Sequence, residues 1–186
     1  MMSPDEQRER SLFLRPTSMC CDPWRGDMYV ATNSTRIHLM HLDAQGRLIR
    51  ALSQSQQLSF DHPKNIVYDE QHQCLVVATD FTFNLFLLDV RQPVMRMPAL
   101  THRVSQWLSN RMTYLASLMI RGHDLVVVGE DRLAVVDTRT YKPTHVLKPN
   151  CCAWLTNKSH LDVVQQDRDD GTIVVYDRGN RRMLWF

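Results

Sequence analysis

The most regular feature of the sequence is a cycle of short apolar runs that returns four times. In each cycle one apolar run ends in an aspartate, a second apolar run precedes it, and a more mixed run follows after a few polar residues. The aspartates that end these runs are Asp43, Asp89, Asp137 and Asp177. The runs are short, rich in β-branched residues and bounded by Asp, Asn, Gly or Pro, so the pattern predicts β-strands rather than helices.

The two middle runs of each cycle are almost continuously apolar, as in Leu75-Val76-Val77-Ala78 and Leu125-Val126-Val127-Val128. A sheet with one solvated face alternates apolar and polar residues, so these runs predict sheets covered on both faces. Sheets of four strands that cover one another without helical crossovers are typical of β-propellers. A sandwich is the alternative, but it does not account for aspartates that recur 46, 48 and 40 residues apart.

The predicted fold class is therefore all-β and β-propeller-like, with four four-stranded antiparallel blades. The cycles predict an N-terminal arm, residues 1–14, and one propeller-like domain, residues 15–186. The expected blades cover about 15–54, 60–100, 113–149 and 150–186. Their first strands are expected near Thr17, Asn65, Leu115 and Cys152.

A ring of only four blades leaves two arrangements open. It either closes around a narrow channel, or it stays an open arc that another chain completes. An open arc exposes the apolar faces of the first and last blades, which favours self-association. In a closed ring, Leu12-Phe13-Leu14 could pair with the outer edge of the last blade. The alternative for this segment is an extended arm on the surface or on a partner.

One segment, about residues 102–112, breaks the strand pattern between the second and third blades. Its apolar residues recur at helical spacing and are Val104, Trp107, Leu108 and Met112. This spacing predicts a short amphipathic helix. The helix either covers the edge of its own sheet, or presents Trp107 with its neighbours Arg103 and Arg111 to a partner, because Trp and Arg are favoured interface anchors.

Two parts of the chain resemble repeats of known propeller families. Residues 169–177, Asp-Asp-Gly-Thr-Ile-Val-Val-Tyr-Asp, are similar to the third-strand stretch of a WD40 blade, with Tyr176 where that family usually has tryptophan. Phe60-Asp61-His62-Pro63 lies near the place of its Gly-His dipeptide, and the first cycle resembles an NHL repeat. The resemblance covers residues 15–186. It implies a rigid toroid used mainly for binding, without a family catalytic residue at the matched positions.

Composition and charge indicate the class of protein and its surroundings. Apolar residues make up 44% and charged residues 23% of 186, as in folded globular chains. The formal net charge is only +2, so no global field draws the chain to nucleic acid or anionic membranes. No apolar run approaches the length of a membrane span, and the opening MMSPDEQRER does not resemble a signal peptide. The expected location is intracellular, cytoplasmic or nuclear, without a membrane.

Arginine clusters near both ends of the chain suggest further contact residues. One cluster contains Arg178, Arg181 and Arg182, and the other contains Arg8, Arg10 and Arg15. The first cluster is a second candidate for binding a protein partner. Together the two clusters support an alternative function, RNA binding by an NHL-like propeller, since arginines could form a local basic stripe.

Catalytic and metal-binding motifs are weak in this sequence. No nucleophile elbow, phosphate-binding loop or dinucleotide fingerprint occurs. The adjacent pairs Cys20–Cys21 and Cys151–Cys152 lack zinc-site spacing and are expected to be reduced, mostly buried thiols. Acidic residues between the predicted second and third strands favour a second alternative, a metal-dependent hydrolase or lyase. These residues are Asp80, Glu130, Asp131, Asp167, Asp169 and Asp170.

The expected function is a non-enzymatic protein–protein interaction scaffold, acting as a subunit or adaptor in a larger complex or by self-association. No catalytic residue, metal or cofactor is expected, because aspartate in such loops more often makes turn hydrogen bonds. The RNA-binding and hydrolase functions remain as the alternatives.

Overall fold

The computed structural model describes residues 16–32, 39–51, 63–79, 85–90, 95–96, 98–112, 115–129, 132–147, 161–166, 173–177 and 180–185. The chain divides into two compact units. The first unit contains Met1–Asp80 and Phe86–Pro98, and the second contains Phe81–Leu85 and Ala99–Phe186. Most of the described residues lie in strands of four antiparallel sheets, as the apolar runs predict.

The first unit contains two four-stranded sheets, each a meander in chain order. The strands of sheet 1 are β1 (Pro16–Cys21), β2 (Met28–Thr32), β3 (Leu39–Leu42) and β4 (Leu48–Ala51). The strands of sheet 2 are β5 (Pro63–Asp69), β6 (Cys74–Thr79), β7 (Leu85–Asp89, of which Leu85 falls in the second unit) and β8 (Met95–Arg96). The continuous apolar run of β6 is buried along its whole length.

Apolar side chains form the contact between the sheets of the first unit. Strands β1 and β2 lie beside β5. The buried residues of the cluster are Tyr29, Ala31 and Leu39 from sheet 1, with Ile66, Leu75, Val77, Leu88 and Val90 from or next to sheet 2. Sheet 1 also buries Val30, Met40 and Leu42 on its other face. Both faces of its middle strands are therefore buried, which agrees with the prediction from their unbroken hydrophobicity.

In its described residues the second unit contains two sheets and a helix, whose first residue, Pro98, falls in the first unit. The helix is α1 (Pro98–Ser109). Sheet 3 contains β9 (Leu115–Arg121), β10 (Asp124–Gly129), β11 (Leu133–Asp137) and β12 (Lys142–Leu147). Sheet 4 contains β13 (Leu161–Gln166), β14 (Ile173–Asp177) and β15 (Arg182–Trp185). Val126, Val128 and Leu133 of sheet 3 pack against Ile173, Val175 and Leu184 of sheet 4.

Sheet 4 has three strands in the part of the chain that the structure describes. Strand β13 lies beside β9 and β10, just as β5 lies beside β1 and β2. The segment around Cys152, like the arm with Leu12-Phe13-Leu14, lies outside the described residues.

The helix between the second and third sheets begins and ends earlier than the apolar spacing predicts. It starts at Pro98, where proline is compatible with the first turn because its missing N–H has no partner there. Its regular part ends at Ser109, but the backbone N–H of Met112 still donates to the carbonyl of Leu108 at 2.9 Å. Val104, Leu108 and Met112 are buried, as their helical spacing predicts.

Candidate interaction surfaces

A repeated turn built on an aspartate connects paired strands. Asp22 follows β1, and its Oδ1 accepts hydrogen bonds from the backbone N–H of Trp24 at 2.9 Å. Asp69 ends β5, and its Oδ1 accepts from the N–H of Gln71 at 3.0 Å. Both aspartates are buried, so their carboxylates are compensated by backbone donors rather than by water. Aspartate therefore serves as a turn residue at these two positions.

The same turns contain a second element that the sequence analysis did not find. Four residues after the aspartate, the backbone has a positive φ in the left-handed region. The aspartates and their left-handed partners are Asp22 with Gly26, Asp69 with Gln73, Asp137 with Tyr141, and Asp177 with Arg181. Only one of the four partners is glycine, the usual residue at positive φ, so composition gave no signal.

The β14–β15 turn contains the candidate residues Arg181 and Arg182. Asp177 has 0% exposure, and its Oδ2 accepts from Asn180 Nδ2 at 2.7 Å and from Arg182 Nε at 3.1 Å. Burial opposes ionisation of Asp177, but these hydrogen bonds outweigh it and lower the pKa below its ordinary value. Arg182 therefore supports the turn, whereas Arg181 is exposed at its tip. Arg178 lies outside the described residues.

The exposed face of α1 and the turn directly after it carry the other candidate residues, Arg103, Trp107 and Arg111. Cζ of Arg111 lies 4.7 Å from the centroid of the Trp107 ring, a cation–π arrangement. Nη1 of Arg111 also donates to the backbone carbonyl of Trp107 at 3.3 Å. Arg103 is exposed one helical turn before Trp107, so the three side chains follow one another at a spacing of four. Trp107 itself is half-buried.

A tryptophan that the sequence analysis did not single out is far more exposed. Trp24, in the turn between β1 and β2, is 79% exposed. Trp185, on β15, is 64% exposed, and Met183 on the same strand is also exposed. Strand β15 is an edge of sheet 4 as described. Neither tryptophan lies in an amphipathic pattern, and hence the periodicity that indicated Trp107 did not indicate them.

A stack of aromatic rings lies behind the Trp24 turn. Tyr29 stacks on His41 with centroids 4.7 Å apart and on Tyr68 with centroids 6.0 Å apart. The hydroxyl of Tyr68 donates to Asp22 Oδ2 at 3.1 Å, and His41 Nε2 lies 2.9 Å from Asp27 Oδ2. The sequence analysis did not predict the pairing of His41 with Asp27. The stack joins β2, β3 and β5 to the turn that carries Trp24.

The stability of the first unit should fall in alkaline solution because of these tyrosines. Burial, followed by nearby anionic groups, raises the pKa of Tyr29 well above its ordinary 10.0, and burial with the hydrogen bond to Asp22 raises that of Tyr68 to about 12. When folding raises the pKa of an acid, the contribution of that acid to stability is complete below its pKa in the unfolded state. The contribution is lost as the pH rises through its pKa in the folded state. We expect urea midpoints to fall above pH 10.

Tyr29→Phe keeps the ring and removes the ionisable hydroxyl. Its urea midpoint should therefore fall less steeply than that of the unmodified protein between pH 10 and pH 12. Equal slopes for the two proteins would contradict the assignment of the alkaline loss to Tyr29.

The cysteines and histidines of the described residues do not form a metal site. Among those residues, no group of three or more His, Cys, Asp or Glu side chains is placed to hold an ion. Cys74 is buried and Cys20 half-buried, and burial raises the pKa of the Cys20 thiol to about 12. Cys21 is exposed, since adjacent residues of a strand point to opposite faces. Cys151, Cys152 and the acidic residues considered for a hydrolase lie outside the described residues.

Comparisons with solved structures identify the fold. The chain is similar to the WD40 repeats of RRP9, with TM-score 0.55 and 12% identity over 94% of this chain and 51% of that one. It is also similar to the Cps50 (Swd1) β-propeller domain of Myceliophteria thermophila, with TM-score 0.60 and 14% identity over 88% and 48%. Hydrazine synthase of Kuenenia stuttgartiensis matches with TM-score 0.55 and 9% identity over 92% and 49%. Neither a family model nor a curated protein matches the sequence.

These likenesses show that the chain has a WD40-like β-propeller fold, which confirms the fold class predicted from the repeat. The chain spans about half the length of the solved structures that it matches. The NHL resemblance stays a prediction. Within the described residues, no helix has the length and hydropathy of a membrane span.

Proposed function

We propose that the protein is a non-enzymatic protein–protein interaction domain of the WD40-like propeller type, acting as a subunit or adaptor in a larger complex. The observation that carries the proposal is the aromatic–arginine surface formed by Arg103 and Trp107 on the exposed face of α1 and by Arg111 in the turn after it. We call it the α1 surface. The fold supports the proposal because solved WD40-type neighbours share it, although likeness at 12–14% identity concerns the fold alone.

The helix does not need the α1 surface to stay in place. Its opposite face is held by Val104, Leu108 and Met112, which are buried. Trp107 is left half-buried under the guanidinium of Arg111, which keeps the indole in one orientation. Ordered tryptophan and arginine side chains on a fixed element are the residues that most often dominate binding energy, because little side-chain entropy is lost when the partner docks.

The charge of the α1 surface indicates the partner's chemistry. Arg103 and Arg111 are both exposed, and the helix contributes no carboxylate, since the sequence of α1 is PALTHRVSQWLS. A partner with carboxylates around an apolar contact therefore complements it.

Arg181 at the tip of the β14–β15 turn is a second contact candidate. Arg182 acts there through Asp177, and Arg178 stays a prediction.

The other functions and properties expected from the sequence stay predictions. RNA binding relies on arginine clusters of which Arg8, Arg10, Arg15 and Arg178 lie outside the described residues. A metal-dependent hydrolase or lyase relies on acidic residues that also lie outside them. Self-association and an intracellular location, cytoplasmic or nuclear, stay predictions as well.

Replacing Trp107 by alanine should weaken partner binding at least about tenfold while leaving the melting temperature nearly unchanged, because the ring is half-buried and the buried face of α1 is kept. The partner is first identified by cross-linking and mass spectrometry on the tagged full chain, and its purified form is then titrated by calorimetry. Arg103→Glu and Arg111→Glu should weaken binding as well, mainly through the association rate.

Gln106→Ala is the matched control, since Gln106 is exposed on the same helix but outside the aromatic–arginine row. It should leave both affinity and melting temperature as they are. A large fall in melting temperature for Trp107→Ala would instead show that the indole belongs to the core. An affinity unchanged by Trp107→Ala would remove the α1 surface from the proposal.

A further inference from the structure

The two arginines of the α1 surface have no carboxylate partner among the residues that the structure describes. Arg103 makes no ion pair or side-chain hydrogen bond within that part of the chain, and the polar and ring contacts of the Arg111 side chain there are with Trp107 alone. Arginines at the turns of the sheets are different, because each of the following pairs with an aspartate: Arg47, Arg121, Arg139 and Arg182. The α1 surface therefore presents positive charge that the described residues do not neutralise.

The exposed charges of this segment have a single sign. Residues 98–112 contain Arg103 and Arg111 but no aspartate or glutamate, and both arginine side chains are exposed. The half-buried indole of Trp107 lies between them in the sequence and adds an apolar contact. Charge complementarity therefore favours a partner that brings anionic groups on both sides of an apolar one.

The guanidinium of Arg111 is held in position before any partner binds. It stacks on the indole of Trp107, and its Nη1 donates to the backbone carbonyl of the same residue at 3.3 Å. The helix beneath is also fixed, because the backbone N–H of Leu85 donates to the buried Oγ of Ser105 at 2.9 Å. A guanidinium has five N–H donors in a planar fork, and the bond to Trp107 uses only one of them. The others can still bind a carboxylate through two parallel hydrogen bonds.

The same stack argues against nucleic acid as the occupant of this surface. Proteins bind single strands largely by stacking bases on exposed aromatic rings. Here the guanidinium of Arg111 lies over the indole, and Trp107 is half-buried, so a base would have to displace the arginine before it could stack. A carboxylate binds the edge of the guanidinium and leaves the stack intact.

The spacing of the surface indicates the conformation of the segment that fits it. Arg103 lies four residues before Trp107, which is about 6 Å along the helix axis. In an extended chain alternate side chains point the same way and lie about 7 Å apart. An acidic residue two positions before an apolar one can therefore face Arg103 while the apolar side chain touches the indole. A second acidic residue, two positions after the apolar one, can reach Arg111.

We infer that the α1 surface binds an extended acidic segment of a partner protein with the pattern acidic-x-apolar-x-acidic. One carboxylate binds the fork of Arg111, the apolar side chain contacts Trp107, and the other carboxylate faces Arg103. The inference rests on the proposed function, protein binding at α1, and adds the chemistry and the conformation of the segment that is bound.

The test is a selection of random short peptides displayed on phage against the full chain. Enriched peptides are synthesised with a fluorescent label and titrated by fluorescence anisotropy, beside versions with lysine at the acidic positions and beside a poly-uridine oligonucleotide. The variants are Arg111→Ala, Arg111→Lys and Arg111→Glu. The matched control is Arg139→Ala, which removes another exposed guanidinium, but one that is already paired with Asp137.

We expect enrichment of peptides with acidic residues on both sides of an apolar one. Arg111→Ala should weaken their binding at least about tenfold, and Arg111→Lys should restore only part of the loss because an ammonium lacks the planar fork. Arg139→Ala should leave the affinity unchanged. Arg111→Glu should bind the lysine version better than the original peptide, a reversal that a folding defect could not produce. The variants should melt close to the wild-type temperature, since both arginines are exposed.

Enrichment of basic peptides, no enrichment, binding that does not depend on Arg111, or tighter binding of poly-uridine would overturn the inference. The proposed function is tested separately, through the effect of Trp107→Ala on the partner found by cross-linking. If Trp107→Ala weakens that partner but no acidic peptide is selected, the proposed function stands and this inference fails. If the partner binds regardless of Trp107, the α1 surface is removed from the proposed function whichever peptides are selected.

Discussion

Tyr29→Ala is expected to lower the free energy of unfolding of the first unit by about 3–5 kcal/mol, the usual cost of removing a buried aromatic side chain. Tyr29 is 1% exposed and packs between His41 and Tyr68. Its removal opens a cavity where sheets 1 and 2 meet and removes both stacking contacts, so the transfer and cavity contributions add. Urea unfolding followed by circular dichroism measures the change.

Trp24→Ala is the control for Tyr29→Ala, because both replace an aromatic residue of sheet 1 or its turn, but Trp24 is 79% exposed. It should change the free energy of unfolding by no more than about 0.5 kcal/mol, as surface substitutions usually do. If the two variants were equally stable, the aromatic stack would not be part of the core and the account of the first unit would be wrong.

Asp177→Ala is expected to lower the free energy of unfolding of the second unit by about 2–4 kcal/mol. Asp177 has 0% exposure and accepts hydrogen bonds from Asn180 and Arg182, so its loss leaves polar donors without their acceptor. Its pKa is lowered by folding, and the contribution should therefore be complete above the ordinary value of 3.8 and disappear as the pH falls through the folded value. Urea unfolding at neutral and at acidic pH measures both effects.

Asp137→Ala serves as the matched control, because Asp137 ends β11 as Asp177 ends β14 and also accepts hydrogen bonds from an arginine, Arg139. Its pKa is also lowered, chiefly by the side-chain hydrogen bond from Arg139, but its partner is exposed and solvent screens the pair. Its replacement should have a clearly smaller effect than that of Asp177. Equal losses in the free energy of unfolding for the two variants would show that burial of Asp177 is not what stabilises the turn. The same conclusion would follow if the difference between wild type and Asp177→Ala were as large in acid as at neutral pH.

The sheets could be predicted from sequence because strand patterning is local. Runs such as Leu125–Val128 are apolar at every position, and a strand of this kind has to be covered on both sides wherever it lies. The helix could be predicted for a similar reason, since Val104, Leu108 and Met112 share one face at helical spacing. Its start at Pro98 was missed, because the residues before 102 carry no apolar periodicity.

The contacts of the candidate surfaces could not be predicted in the same way, because they join residues that are distant in sequence. The hydrogen bond from Tyr68 to Asp22 spans 46 residues, and the pairing of His41 with Asp27 spans 14. Exposure of Trp24 depends on the geometry of a turn held by those contacts. Arg103, Trp107 and Arg111 lie within one short segment, so sequence alone could name them as neighbours. Its apolar spacing placed Trp107 on the face of Val104, Leu108 and Met112, but the structure leaves Trp107 half-buried where those three are buried.

The outer edge of β15 has a consequence for the behaviour of the protein in solution. Within the described residues β15 pairs with β14 alone, and the side chains of Met183 and Trp185 on β15 are exposed. Such an edge is a template on which strands of other molecules can add, and sheet growth of this kind leads to aggregates. Concentrated samples should therefore become turbid through strand addition at this edge at temperatures where the protein is still folded. Resistance to aggregation and thermal stability are for this reason separate properties of this protein.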